Sequence, residues 1–128
     1  MYPGDLKYAR DHEWARPERD RARATIGITD YAQEQLSDVV YVDLPPVGTA
    51  VTGGEPFGEV ESTKSLSDLY SPVSGTIVGR NDILDNRPEL INSDPWGQGW
   101  LIVVEMSDPG ELDQLMDAEA YSEMVAES

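Results

Sequence analysis

The longest apolar stretches in this chain are Val39–Val42 and Leu101–Val104, four residues each, and both are rich in β-branched side chains. A helix that spans a bilayer needs roughly 20 apolar residues, so runs this short fit short strands, ended by the Gly and Pro residues spread along the chain. Further strand candidates are Glu13 to Arg16, Arg21 to Ile28, Pro56 to Ser62, Leu69 to Ser71 and Thr76 to Gly79. In the second of these, Ala22, Ala24, Ile26 and Ile28 alternate with polar residues, the mark of a half-buried strand. It pairs with Glu13 to Arg16 across a charged hairpin loop, Pro17-Glu18-Arg19-Asp20. Many short strands with regular turn signals predict a mainly β sandwich or barrel, and 128 residues suffice for a single domain spanning 1–128.

Helical pattern appears twice. Thr29 to Ser37 has Thr29 or Asp30 as N-cap and no breaker. From Asp108-Pro109-Gly110-Glu111, a cap with Pro at the first helical position leads to Leu112, Leu115 and Met116, and a last short helix runs through Tyr121, Met124 and Val125. Pro88 opens either one more helical turn or a tight loop, and Asn92 to Pro95 reads as a turn without chemistry.

Composition removes whole classes of function. Nine basic residues against 25 acidic ones give a formal charge of −16, which repels nucleic acid and anionic membranes alike. There is no cysteine, so disulfide frameworks, thiolate metal sites and cysteine nucleophiles are excluded, and one histidine, His12, is too few for a zinc set. His12 reads as a structural or hydrogen-bonding residue beside Trp14. No phosphate loop, calcium loop or nucleophile elbow is present. The opening residues lack the layout of a signal peptide, and the expected compartment is the cytoplasm.

Two features remain. Pro46-Val47-Gly48-Thr49-Ala50-Val51 and Pro72-Val73-Ser74-Gly75-Thr76-Ile77-Val78 echo one another with one residue inserted, which suggests halves related by an approximate twofold. Between them lies Lys64, one of only two lysines against seven arginines. Its setting, Gly58 to Tyr70, is two β-like arms around a small polar centre, a hairpin with the lysine at its tip. Glu59, Glu61 and Asp68 would stabilise its ammonium form, so it is a poor nucleophile and reads either as a target for an external modifying enzyme or as an ordinary solvated turn lysine.

The chain resembles the H protein of the glycine cleavage system, a lipoyl-lysine carrier family, from about Leu6 to Val125. The resemblance rests on Lys7-Tyr8, His12-Glu13-Trp14, Gly27-Ile28-Thr29-Asp30-Tyr31-Ala32-Gln33, Val42-Asp43-Leu44-Pro45, Glu61-Ser62-Thr63-Lys64, Ser67-Asp68, Ser71-Pro72-Val73-Ser74-Gly75, Pro88 to Pro95 and Gly99-Trp100. It implies a lipoyl/biotinyl-type β sandwich (barrel-sandwich hybrid) with short flanking helices near 29–37 and 108–126. It also implies lipoic acid in amide linkage to Lys64, contacts from Glu13 and Asp68 to the lipoyl arm or its aminomethyl load, and recognition of the lysine loop through Glu61 and Ser67. In such proteins no residue is catalytic. A pyridoxal-phosphate glycine decarboxylase loads the arm with an aminomethyl group, a tetrahydrofolate-dependent aminomethyltransferase unloads it, and dihydrolipoyl dehydrogenase, with FAD and NAD, reoxidises the dithiol. Lipoyl-attaching enzymes are the remaining implied partners, and in a eukaryote the compartment would be the mitochondrial matrix. Alternatives left open are an H-like lipoyl donor in protein lipoylation and a lipoyl or biotinyl domain of another complex, although those domains often show Asp-Lys-Ala or Met-Lys-Met where this chain has Thr63-Lys64-Ser65. The chain also lacks the histidine that relatives often carry in the segment Tyr31 to Gln35, where Gln35 offers a neutral hydrogen-bonding group instead. As another class, a carboxylate-based enzyme or a passive acidic scaffold would retain activity with Lys64→Arg, because arginine keeps the charge but accepts no lipoyl amide.

Overall fold

The computed structural model describes residues 2–19 and 22–127. Along the chain run β1 (Lys7–Tyr8), β2 (Glu13–Pro17), β3 (Arg23–Ile28), α1 (Asp30–Leu36), β4 (Val39–Asp43), β5 (Ala50–Val51), β6 (Pro56–Ser62), β7 (Leu66–Tyr70), β8 (Gly75–Arg80), α2 (Leu90–Ser93), β9 (Ile102–Met106) and α3 (Ala118–Ala126). All pairings are antiparallel, in a six-stranded sheet of order β1-β2-β3-β9-β8-β5 and a three-stranded sheet of order β4-β6-β7. Two sheets with short helices at their margins, and no closed barrel, are the mainly β architecture expected from the short apolar runs. No helix among the described residues is long and apolar enough to cross a membrane.

The main core lies where Ala15, Ile26, Ile77 and Val104 of the larger sheet join Val42 and Val60 of the smaller one in one buried apolar cluster. A second cluster, Leu6, Tyr8, Trp14 and Tyr121, is built around aromatic rings. It explains why the period-two reading of β3 fails: Ala24 to Ile28 are all buried, because β3 is an interior strand whose Ala24, Ile26 and Ile28 enter the main core while the Trp14 indole of the second cluster covers Gly27. Trp14 stands opposite Gly27 in register, and a Cβ at Gly27 would collide with the indole ring. The indole N–H donates to the Ile28 carbonyl at 2.9 Å and the Pro95 carbonyl at 3.1 Å, tying β2 to two distant segments.

The echoed segments pair with each other. Ala50 stands opposite Thr76 and Val51 opposite Gly75, and the Gly48 N–H and Ile77 carbonyl close the pair at 2.8 Å. The strands leading into them, β4 and β7, flank β6 on either side. The expected approximate twofold is therefore a local axis between the two copies. It breaks at their second residues, since Val73 is fully buried while Val47 is 59% exposed.

Several boundaries move. β7 begins at Leu66 instead of Leu69, which tightens the lysine turn to Thr63-Lys64-Ser65. β3 begins at Arg23 and Ala22 lies outside it, whereas Asp20 and Arg21 lie outside the described residues. The C-terminal helical reading splits: Pro109–Gln114 is a 3-10 turn capped by Asp108, Leu115 is extended, and Met116 pairs with Tyr8 through 2.8 Å bonds in both directions. Leu115 and Met116 thus have helical spacing but extended backbone, because the edge of β1 offers unpaired backbone groups that compete with the helix. Asn92 is a junction inside α2 and not a turn residue: its amide accepts from the Val39 N–H at 2.8 Å and donates to Gln33 Oε1 at 2.9 Å and the Ser37 carbonyl at 2.8 Å.

Candidate functional site

Ser62 builds the lysine tip. Its N–H donates to the Ser65 carbonyl at 2.8 Å, and its Oγ accepts from the N–H groups of Lys64 at 3.2 Å and Ser65 at 3.0 Å. The Thr63 N–H donates to the Asp38 carbonyl at 2.9 Å, so the turn is fastened to the segment after α1. The backbone N–H groups of Ser62 to Ser65 are all satisfied without the Lys64 side chain, which is exposed. The Lys64 Nζ reaches the main-chain carbonyl of Gln35, at 3.5 Å, near the C-terminal end of α1 where unpaired carbonyls favour a cation.

Gln35 also lines a cavity of about 290 Å³ walled by the β1–β2 loop, α1 and the β6–β7 hairpin. Glu13, Ser67 and Asp68, three residues singled out from the sequence, line it together, with Asp11, His12 and Tyr31 beside them. Glu61 does not: it is exposed and stands in one cross-strand row with Tyr41 and Leu66, which are 55% and 62% exposed. A larger concavity, about 440 Å³, runs between Tyr8, Arg10, Pro72 and Met116 and includes none of these five sequence-derived residues.

Glu13 is the unusual group. Its side chain leaves the start of β2 for the smaller sheet, where Oε2 accepts from the Tyr70 N–H at 3.3 Å. The residue is 2% exposed, and Oε1 has no hydrogen-bond partner among the described residues. Burial, with the Asp11 carboxylate adding to it, pushes the Glu13 carboxyl up to about 11. It is therefore protonated at neutral pH. A buried oxygen without a partner is costly unless something else meets it, and its presence in the cavity wall marks a place where a polar ligand gains more than it would elsewhere.

Sequence reasoning missed Asp11, Tyr31 and the placement of His12. The last is held by Tyr121 and Tyr31, not by Trp14: Nδ1 lies 2.8 Å from the Tyr121 hydroxyl, and the ring centroid is 4.8 Å from that of Tyr31. The available signal was the loop length. Ala9 and Glu13 close a three-residue hairpin loop through a 2.9 Å bond, a form whose last residue takes the left-handed conformation, and a histidine there asks for an explanation that a glycine would not.

Comparison with known proteins bears on the family and the fold. The family model for the glycine cleavage H-protein matches residues 6–128. Glycine cleavage system H proteins of Anaeromyxobacter sp. (strain K) and Myxococcus xanthus are 54% and 52% identical over 125 and 126 residues, each match covering 98% of this chain and 96% of the relative. The crystal structure of a glycine cleavage system H protein from Mycobacterium marinum superposes with a TM-score of 0.88 at 43% identity, over 98% of this chain and 99% of that one. With a family match over nearly its whole length and a shared fold, the chain belongs to the glycine cleavage H-protein family.

Proposed function

We propose that this chain is the lipoyl carrier of a glycine cleavage system, with lipoic acid in amide linkage to Lys64 Nζ. The observation that carries the reading is an exposed lysine on a rigid three-residue hairpin tip, beside a cavity with a buried, unpartnered carboxyl oxygen in its wall. When bound, the dithiolane supplies what a chain without cysteine lacks, a redox-active sulfur pair that takes an aminomethyl group and two electrons.

The residues of the chain orient and protect. Amide formation removes the Lys64 charge but leaves one N–H, so the Gln35 carbonyl still has a donor to accept from. The 290 Å³ cavity gives an arm a place out of bulk water. Glu13 lines it from the buried side and Asp68 from its exposed rim, and an ammonium arriving there reverses the balance at Glu13, because a nearby positive charge favours the ionised carboxyl. Binding of an aminomethyl ammonium then expels the Glu13 proton and forms a charge-assisted contact. Glu61, exposed between Tyr41 and Leu66, and Ser67 at the cavity edge are where a lipoyl-attaching enzyme reads the lysine loop. The chain itself catalyses no step. It meets the decarboxylase, the aminomethyltransferase and the flavoprotein dehydrogenase in turn, in the cytoplasm or, in a eukaryote, in the mitochondrial matrix.

Intact mass of the protein from lipoate-supplied cells, with peptide mapping, tests the reading. One lipoyl group on Lys64 is expected; an unmodified lysine in cells whose other carriers are lipoylated overturns it. Replacing Glu13 and Asp68 together by Gln and Asn shortens the lifetime of the aminomethyl load while leaving lipoylation intact, and an unchanged lifetime removes both residues from the arm site.

A further inference from the structure

Outside the groups already given a role, His12 is the one titratable side chain in the cavity wall that stands in a left-handed backbone conformation, with φ of 75°. Non-glycine residues adopt this conformation at an energetic cost. Glycine would fill the last position of the loop without it, so the imidazole itself is the reason for the residue. The ring is clamped from two sides, against Tyr31 of α1 and at 2.8 Å to the hydroxyl of Tyr121 on α3.

Hydrogen-bond counting orients this contact. The Ala32 N–H donates to Thr29 Oγ1 at 3.2 Å, as the N-cap bond of α1. Thr29 Oγ1 also lies 2.7 Å from the Tyr121 hydroxyl, and Thr29 is fully buried. If Tyr121 donated to Thr29, the buried threonine hydrogen would have no acceptor among the described residues. The arrangement that gives both hydroxyl hydrogens an acceptor runs in one direction: Ala32 N–H to Thr29, Thr29 O–H to Tyr121, Tyr121 O–H to His12 Nδ1. Burial keeps the Tyr121 phenol well above its ordinary value of 10, so its hydrogen stays on.

We propose that Tyr121 is a positioning residue of the arm cavity, holding His12 as the neutral tautomer protonated on Nε2 and so setting a hydrogen-bond donor in the wall of the cavity that Glu13 also lines. Nε2 has no protein partner among the described residues. The wall then offers carboxyl groups to a cation and an N–H to an acceptor, such as the sulfur or amide oxygen of an arm. Neutrality matters, since an imidazolium would place a positive charge where an ammonium has to dock. Burial lowers the His12 titration in that sense, opposed by the Asp11 carboxylate in the same loop. Tyr31 and Tyr121 are the other titratable groups packed against the ring, and Glu13 and Asp68 line the same cavity. The role in holding an arm rests on the carrier reading, whereas the tautomer does not.

The test uses the whole chain, lipoylated and unlipoylated, with the Tyr121→Phe and His12→Gly variants. In unlipoylated protein, nitrogen NMR of the imidazole shows a bare Nδ1 and a protonated Nε2. Tyr121→Phe, which keeps the ring packing, moves the His12 titration upward by about half a unit or more. In lipoylated protein loaded by the decarboxylase with glycine, both variants shorten the lifetime of the aminomethyl group by about 2- to 10-fold, the range one hydrogen bond carries. His12→Gly relieves the left-handed strain but leaves the buried Tyr121 hydroxyl without its acceptor, so its lifetime is read in protein shown by thermal melting to be folded. A proton on Nδ1, an unmoved titration in Tyr121→Phe, or an unchanged lifetime in His12→Gly overturns the proposal. Absence of lipoylation in the wild type and both variants would overturn the carrier reading instead, and leave the tautomer result standing.

Discussion

At residue scale the dominant energetic fact is one carboxyl. Glu13 titrates near 11 in the folded chain and near 4.5 when exposed, because burial disfavours its charged form. The unfolded chain therefore releases this proton first as pH rises, and folding stability falls from about pH 4.5 upward, at a slope bounded by about 1.4 kcal/mol per pH unit. Glu13→Gln keeps the shape of the protonated acid and removes the titration. Denaturant melts across pH 6 to 9 are expected to show the wild type losing stability relative to Glu13→Gln as pH rises; parallel curves would mean that the carboxyl is already ionised in the fold. Like the left-handed His12 next to it, this group lowers stability where the cavity is built, as expected of a site and not of a core.

At the scale of elements, β3 shows how a close approach fixes the site. Gly27 lets the indole of Trp14 lie flat across the strand, and the neighbouring residues of β2 and β3 are Glu13 and Ile28, both in the cavity wall. Adding one methyl group at Gly27 displaces the ring. Gly27→Ala is expected to cost about 1–3 kcal/mol, the usual penalty for overpacking, and to change the near-ultraviolet circular dichroism of the tryptophans. A variant that melts like the wild type with an unchanged tryptophan signal would show that the indole can give way. The C-terminal segment works at the same scale. Its bridge from Met116 to Tyr8 and the stacking of Tyr121 on Tyr8, with centroids 4.7 Å apart, bring α3 to the β1–β2 loop that carries His12 and Glu13.

At the scale of the whole molecule, charge decides how partners meet it. The formal charge is −16, and on the exposed side of the smaller sheet Asp43, Glu59 and Asp68 stand in one cross-strand row. Like charges directly opposite one another are unfavourable in the free protein, and a basic partner surface relieves that repulsion. Affinity for the proposed partners, the decarboxylase and the aminomethyltransferase, is expected to fall as ionic strength rises from 0.01 to 1 M, over which the screening length shrinks from about 30 to 3 Å. Binding that is flat across this range would assign docking to apolar contact through exposed residues such as Tyr41 and Leu66.

The β class, the hairpin around Lys64 and the α1 cap could be read from residues alone, because short apolar runs, turn residues and capping side chains act over a few neighbours. Also legible were Glu13, Ser67 and Asp68 as candidates, through motifs that carry a family resemblance. Their meeting in one cavity was not legible, since it depends on how the β1–β2 loop, α1 and the β6–β7 hairpin come together across more than 50 residues of chain. Neither was the protonation of Glu13, which follows from burial on all sides, nor the link from α3 to His12, whose hydrogen bond joins residues 109 positions apart. Local pattern fixes conformation over a few residues, whereas desolvation and long-range hydrogen bonds exist only once the sheets and the terminal helix have packed.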